Sequence, residues 1–183
     1  MQVSVAIVPP EGVSDEISAL LEAVPGAARE LELVPAHLMR LPVMGLGNLT
    51  RPDTSTVCNV LARKLVERDT APRVRLAGVW ALEDGDPGIA LHLEGDVDTA
   101  VGLAKGLPQM VEDLGLYVDR RLFAPRMVVA RVTDATTLPV LEALVAALER
   151  YRSPTWTIAT VEVHQVIGGT RLEVVASLPT TAE

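Results

Sequence analysis

Hydrophobic positions along the chain alternate between stretches of period two and stretches of helical period, which predicts strands and helices in turn. Val3 to Val8 is a short apolar, β-branched run ended by Pro9-Pro10, the pattern of a buried first strand. Ile17, Leu20, Leu21 and Val24 recur at helical spacing behind Ser14, a predicted N-cap, and Pro25-Gly26 stops that helix. Leu31 to Val34 and Leu38 to Leu46 read as extended, and their prolines, Pro35 and Pro42, imply an edge strand or a bulge. A second helix, capped by Asp53, Thr54 or Ser55, runs to about Arg68 with Val57, Val60, Leu61 and Leu65 on one face.

Beyond it, Arg73 to Leu82 and Ile89 to Leu93 form a predicted hairpin around the turn-rich segment Glu83 to Gly88. A third helix starts at Asp96 or Asp98 and ends near Gly115. Met127 to Val132 is a strand, and Thr136 or Thr137 to Arg150 is a helix. Trp156 to Val166 pairs with Arg171 to Leu178 around Gly168-Gly169, and Pro179 to Glu183 reads as a frayed tail. Strands joined in pairs by short turns imply antiparallel sheets, so the expected class is α+β rather than a doubly wound parallel sheet.

A length of 183 residues suits one domain, 1–183, with a sizeable core. Aromatic residues are only 3%, so aliphatic side chains must fill that core. The same scarcity argues against a base-stacking surface, for which only Phe123, Tyr117, Tyr151, Trp80 and Trp156 exist. A formal charge of −8 disfavours duplex nucleic acid and anionic membranes as partners. The single cysteine, Cys58, allows no internal disulfide. The residues from Met1 to Pro10 lack a basic segment followed by an apolar one, which leads to a cytoplasmic expectation.

Two segments resemble each other in character: Arg40-Leu-Pro-Val-Met-Gly-Leu-Gly47-Asn48 and Phe123-Ala-Pro-Arg126-Met-Val-Val-Ala-Arg131. They resemble the two signature strands of the 2H phosphoesterases, the group that includes bacterial 2′-5′ RNA ligase-like cyclic phosphodiesterases. There the strands read His-x-Thr-Leu-x-Phe-Leu-Gly and Phe-x-Pro-His-x-Thr-Leu-Ala-Arg. Leu46-Gly47, Phe123, Pro125, Ala130 and Arg131 fall where that pattern expects them. The resemblance implies a bilobal fold, two antiparallel sheets flanked by helices, with one motif strand from each lobe facing a central cleft.

The departures fall on the residues that would carry the chemistry. Arg40 and Arg126 stand where the family has its histidines, and Pro42 and Val128 where it has its threonines. Opening a 2′,3′-cyclic phosphate needs a proton acceptor and a proton donor, roles that suit histidine because its pKa lies near neutrality. Arginine stays protonated and serves neither role, but its guanidinium binds phosphate oxygens in pairs. Arg40 and Arg126 are therefore candidate ligand-binding residues, and Arg73 and Arg75, two apart on one strand, are candidates to join them. The plainer alternative is that these arginines pair with some of the 24 acidic residues or lie in solvent.

Three histidines remain as relocated catalysts. His37 is three residues before Arg40 and should face away from it, while His92 and His164 alternate with core positions and read as half-exposed sheet residues. No His-x-x-x-His, cysteine pair or phosphate-loop motif occurs, so no metal or cofactor is implied. Cys58, beside Val57, reads as a small buried hydrophobe.

The leading expectation is a non-catalytic, 2H phosphoesterase-like protein that binds a phosphorylated or anionic ligand, a nucleotide or RNA end, in its cleft. One alternative is an active cyclic phosphodiesterase with relocated catalytic residues. The other is a protein-interaction module with a vestigial cleft, for which the sequence names no partner.

Overall fold

A computed structural model describes residues 1–67, 69–81, 86–120, 123–168 and 171–181. It contains two antiparallel sheets. β1 (Gln2–Ile7), β3 (Leu41–Asn48), β8 (Thr160–Ile167) and β9 (Arg171–Pro179) form a four-stranded sheet in the order β3-β1-β8-β9. β2 (Leu31–Leu33), β4 (Arg73–Ala81), β5 (Gly88–Gly95), β6 (Arg126–Val132) and β7 (Trp156–Thr157) form a five-stranded one in the order β2-β6-β5-β4-β7. The α+β expectation of two antiparallel sheets flanked by helices is met.

The helices follow from apolar stripes and local caps. α1 (Glu11–Glu22) buries Val13, Ile17 and Leu21. It begins earlier than the expected cap: the carbonyl of Pro10 accepts from the amides of Val13 and Ser14, and Ser14 itself faces the core. α2 (Ala27–Glu30) is a single turn. α3 (Arg51–Leu65) is capped by Thr50, not by Asp53, Thr54 or Ser55. Thr50 Oγ1 accepts from the amide of Asp53 and donates to its carboxylate, and Pro52 lies in the first turn. α3 ends at Leu65, and Arg68 lies outside the described residues. α4 (Val97–Glu112) and α5 (Leu138–Arg150) complete the set. α3 packs against β9 and α4, and α5 against β4.

Three other expectations need correction. The segment after β2 is not continuous strand: Pro35 opens a 3₁₀ turn, Ala36–Leu38, which contains His37, and Arg40 falls one residue before β3. Trp156 to Val166 is two strands in different sheets, because the amide of Ile158 bonds to Pro72 and the chain crosses from β7 to β8. Pro179 belongs to β9. Thr180 is no frayed end either; it is fully buried, its hydroxyl donating to the carbonyl of Ile158 at 2.6 Å. The turn residues 82–85 and 169–170 lie outside the described residues, so the predicted hairpin turns are not assessed there.

Two bulges decide which side chains face the cleft. Pro42 lies on an edge strand next to the extra residue Val43, as a proline in a strand requires. On β6, Ala130 pairs with Ile89 and Val128 with Ala90, so Val129 is the extra residue. The alternation therefore shifts, and Arg131, opposite Gly88, joins Val128 and Arg126 on one face.

Candidate functional site

β3, which follows directly on Arg40, and β6, which begins at Arg126, meet at the seam between the sheets. A cleft of about 270 Å³ opens there, lined by Glu32, Arg40, Pro42, Val128 and Arg131 together with the apolar Leu33, Val34, Pro35 and Leu38. Pro42 and Val128, the positions that resemble the family's threonines, thus face one space from opposite sheets. Neither offers a side-chain donor.

Arg40 is half-buried, and burial alone pulls its pKa below the usual arginine range. Its Nη1 is buried without a hydrogen-bond partner, and no carboxylate lies in ion-pair contact with it among the described residues. Arg131, on the far wall, is likewise without an ion pair there, although Glu32 is its cross-strand neighbour.

Arg126 has a different environment. Its guanidinium lies flat over Trp80, 3.5 Å from the ring centroid, and its Nη2 is 3.9 Å from Asp86 Oδ2. Trp80, Ala90 and Val128 form a cross-strand row that sets this platform, with His92 opposite Arg126 and exposed. Arg75 lies on the same face of the sheet, but its guanidinium is held by Glu94 through Nε at 3.0 Å and Nη2 at 2.9 Å. Arg73 begins β4, exposed, with its backbone amide bonded to Asp96. The structure brings Arg40 into one cleft with Arg131 rather than with Arg73 or Arg75, which are not among the residues lining it.

His164 departs most from expectation. It is buried, 4% exposed, not half-exposed, and the charge of Arg40 is near enough to act on it. Its Nε2 is 2.8 Å from Glu162 Oε2, and its pKa is lowered by burial, with Glu162 opposing and the charge of Arg40 adding to the decrease. Glu162 and His37 also line a neighbouring cavity of about 600 Å³. Sequence reasoning missed Arg131 because a strict period of two places it on the other face from Arg126. It missed the His164–Glu162 pair although the spacing of two was legible. No group of His, Cys, Asp and Glu fit to hold a metal occurs among the described residues.

No family model matches the chain, and no curated protein does. Solved structures match it along nearly its whole length, and they show the fold: the two antiparallel sheets flanked by helices are shared with a crystallised phosphoesterase and with E. coli LigT. TT0787 of Thermus thermophilus is 22% identical, with TM-score 0.68 over all of both chains. A crystallised phosphoesterase is 16% identical, with TM-score 0.70 over 99% of this chain and 98% of that one. E. coli LigT, crystallised with 3′-AMP, is 15% identical, with TM-score 0.72 over the same shares. At these identities the likeness is one of fold.

Proposed function

We propose that this protein binds a small phosphorylated or otherwise anionic ligand, the size of a nucleotide or an RNA end, in the cleft between its sheets, and does not hydrolyse it. The observation that carries this reading is Arg40, a half-buried guanidinium whose buried Nη1 has no partner among the described residues. An uncompensated buried charge is costly, and an anion would relieve it. Arg131 faces the same cleft, and Arg126, on the same face of β6, can supply a further donor. Arg75, already bonded to Glu94, and Arg73, outside the lining, play lesser parts. LigT has been crystallised with phosphate and with 3′-AMP, and a cleft kept for such ligands fits the shared fold.

The chemistry argues against turnover. Neither Arg40 nor Arg126 exchanges a proton near neutrality, and the loss of one acid or base typically costs about 10²–10⁴-fold in rate. Pro42 and Val128 add no donor for the transition state. The reading takes the protein as one two-lobed domain working in the cytoplasm; no described helix is long and apolar enough to cross a membrane.

A second reading, a phosphodiesterase with a relocated base, draws on the His164–Glu162 pair. Incubating the purified protein with 2′,3′-cyclic nucleotides separates the two. No release of nucleoside monophosphate is expected; turnover abolished by His164→Ala would replace the binding reading with the catalytic one.

A further inference from the structure

One buried polar cluster beside the cleft extends the anion reading. Ser4 and His164 are cross-strand partners on β1 and β8, and Ala6 and Glu162 form the next pair on the same face. The imidazole Nδ1, Ser4 Oγ and Arg40 Nη1 are all buried and, among the described residues, all without a hydrogen-bond partner. Arg40 belongs both to this cluster, through its electrostatic effect on His164, and to the lining of the cleft.

The tautomer follows from the partner. A neutral imidazole whose Nε2 lies against a carboxylate carries its proton there, which leaves Nδ1 with a bare lone pair. Burial lowers the pKa of His164 and keeps the ring neutral near pH 7. A guanidinium that can only donate and a ring nitrogen that can only accept therefore belong to one face of the sheet: Ala6 pairs with both Pro42 and Glu162, beside the Ser4–His164 pair, and Arg40 is two residues from Pro42. The ionisable groups that line the two cavities beside them are Glu11, Asp15 and His37 next to Glu162, and Glu32 and Arg131 in the cleft.

We propose that Arg40 and His164 together select an anion that carries a proton on one of its own oxygens. The ligand class is inorganic phosphate or the singly charged form of a phosphate monoester. Arg40 would hold an ionised oxygen, and Nδ1 would accept from the adjacent P–O–H. Sulfate and phosphodiesters, cyclic ones included, carry no such proton near neutrality and would set an oxygen lone pair against that of Nδ1. An unpaired acceptor facing another acceptor costs enough to discriminate. This selectivity rests on the reading of the cleft as an anion site.

The test is equilibrium dialysis of the full chain against labelled phosphate and labelled sulfate at pH 7, for wild type, Glu162→Gln and His164→Leu. Phosphate should bind wild type about tenfold or more tighter than sulfate. Glu162→Gln, which no longer fixes the tautomer, should narrow the gap, and His164→Leu should close it without weakening sulfate. Equal affinities in wild type, or a gap unchanged in the folded variants, would overturn the selectivity alone. Binding of neither anion would overturn the cleft reading with it. Should His164→Leu fail to fold, wild type and Glu162→Gln still decide.

Discussion

The two strands that face the cleft begin with an arginine at or beside their first residue, and the two arginines have opposite circumstances. Arg126 opens β6 with its guanidinium spread on Trp80 and Asp86 within 3.9 Å, so the protein itself satisfies most of its charge. Arg40, just before β3, is desolvated by its surroundings and bonded to nothing among the described residues. A cation over an aromatic face gains about 0.5–2 kcal/mol without any ligand. A buried cation without a partner costs free energy until something neutralises it. The difference separates a positioned cation from a waiting one, and it is the reason the proposed function rests on Arg40 first.

The largest expected effect lies on the Arg126 side. Trp80→Ala removes a nearly buried ring from the cross-strand row and the platform under Arg126, and should cost about 3–5 kcal/mol in urea denaturation. A loss below about 1 kcal/mol would mean that the ring is not packed as described.

The next effect concerns pH on the Arg40 side. The folded pKa of His164 is lowered, so as pH falls below about 6.5 the unfolded chain takes up a proton that the folded chain refuses. The unfolded state then binds more protons, and stability should fall with pH by at most about 1.4 kcal/mol per unit from this group. His164→Leu should flatten that part of a stability-versus-pH profile, and an unchanged profile would remove the case for a buried neutral ring. Arg40→Met is expected to be smaller and opposite in sign. It keeps most of the apolar stem while deleting the unpaired charge, and should raise stability by about 1 kcal/mol in thermal denaturation.

Much of this fold was legible in the chain. Val3 to Ile7, Arg73 to Ala81 and Met127 to Val132 carry β-branched or alternating patterns that need no tertiary context. Pro42 announced an edge position or a bulge, and the structure has both there. Trp156 to Val166 misled because a crossover between sheets leaves the apolar alternation intact; only the amide of Ile158, bonded to Pro72, reveals the break.

The site was half legible. The two arginines and the missing donors at Pro42 and Val128 are visible in the motifs. The placement of Arg131 depends on a bulge at Val129, and the burial of His164 depends on which segments cover its face of β8. Neither can be counted from spacing. Arg75 shows the reverse case: its spacing suits a clamp, but its guanidinium pairs with Glu94 directly across the strand pair, a partner the spacing does not reveal.

The central claim, that Arg40 is the main anion contact of the cleft, is tested most directly by calorimetric titration of inorganic phosphate into wild type, Arg40→Met, Arg126→Met and Arg75→Ala. The account predicts saturable binding by wild type that weakens as salt rises. Arg40→Met should lose about tenfold or more, Arg126→Met less, and Arg75→Ala almost nothing. Wild type that binds no phosphate, or an affinity indifferent to Arg40→Met, would contradict it.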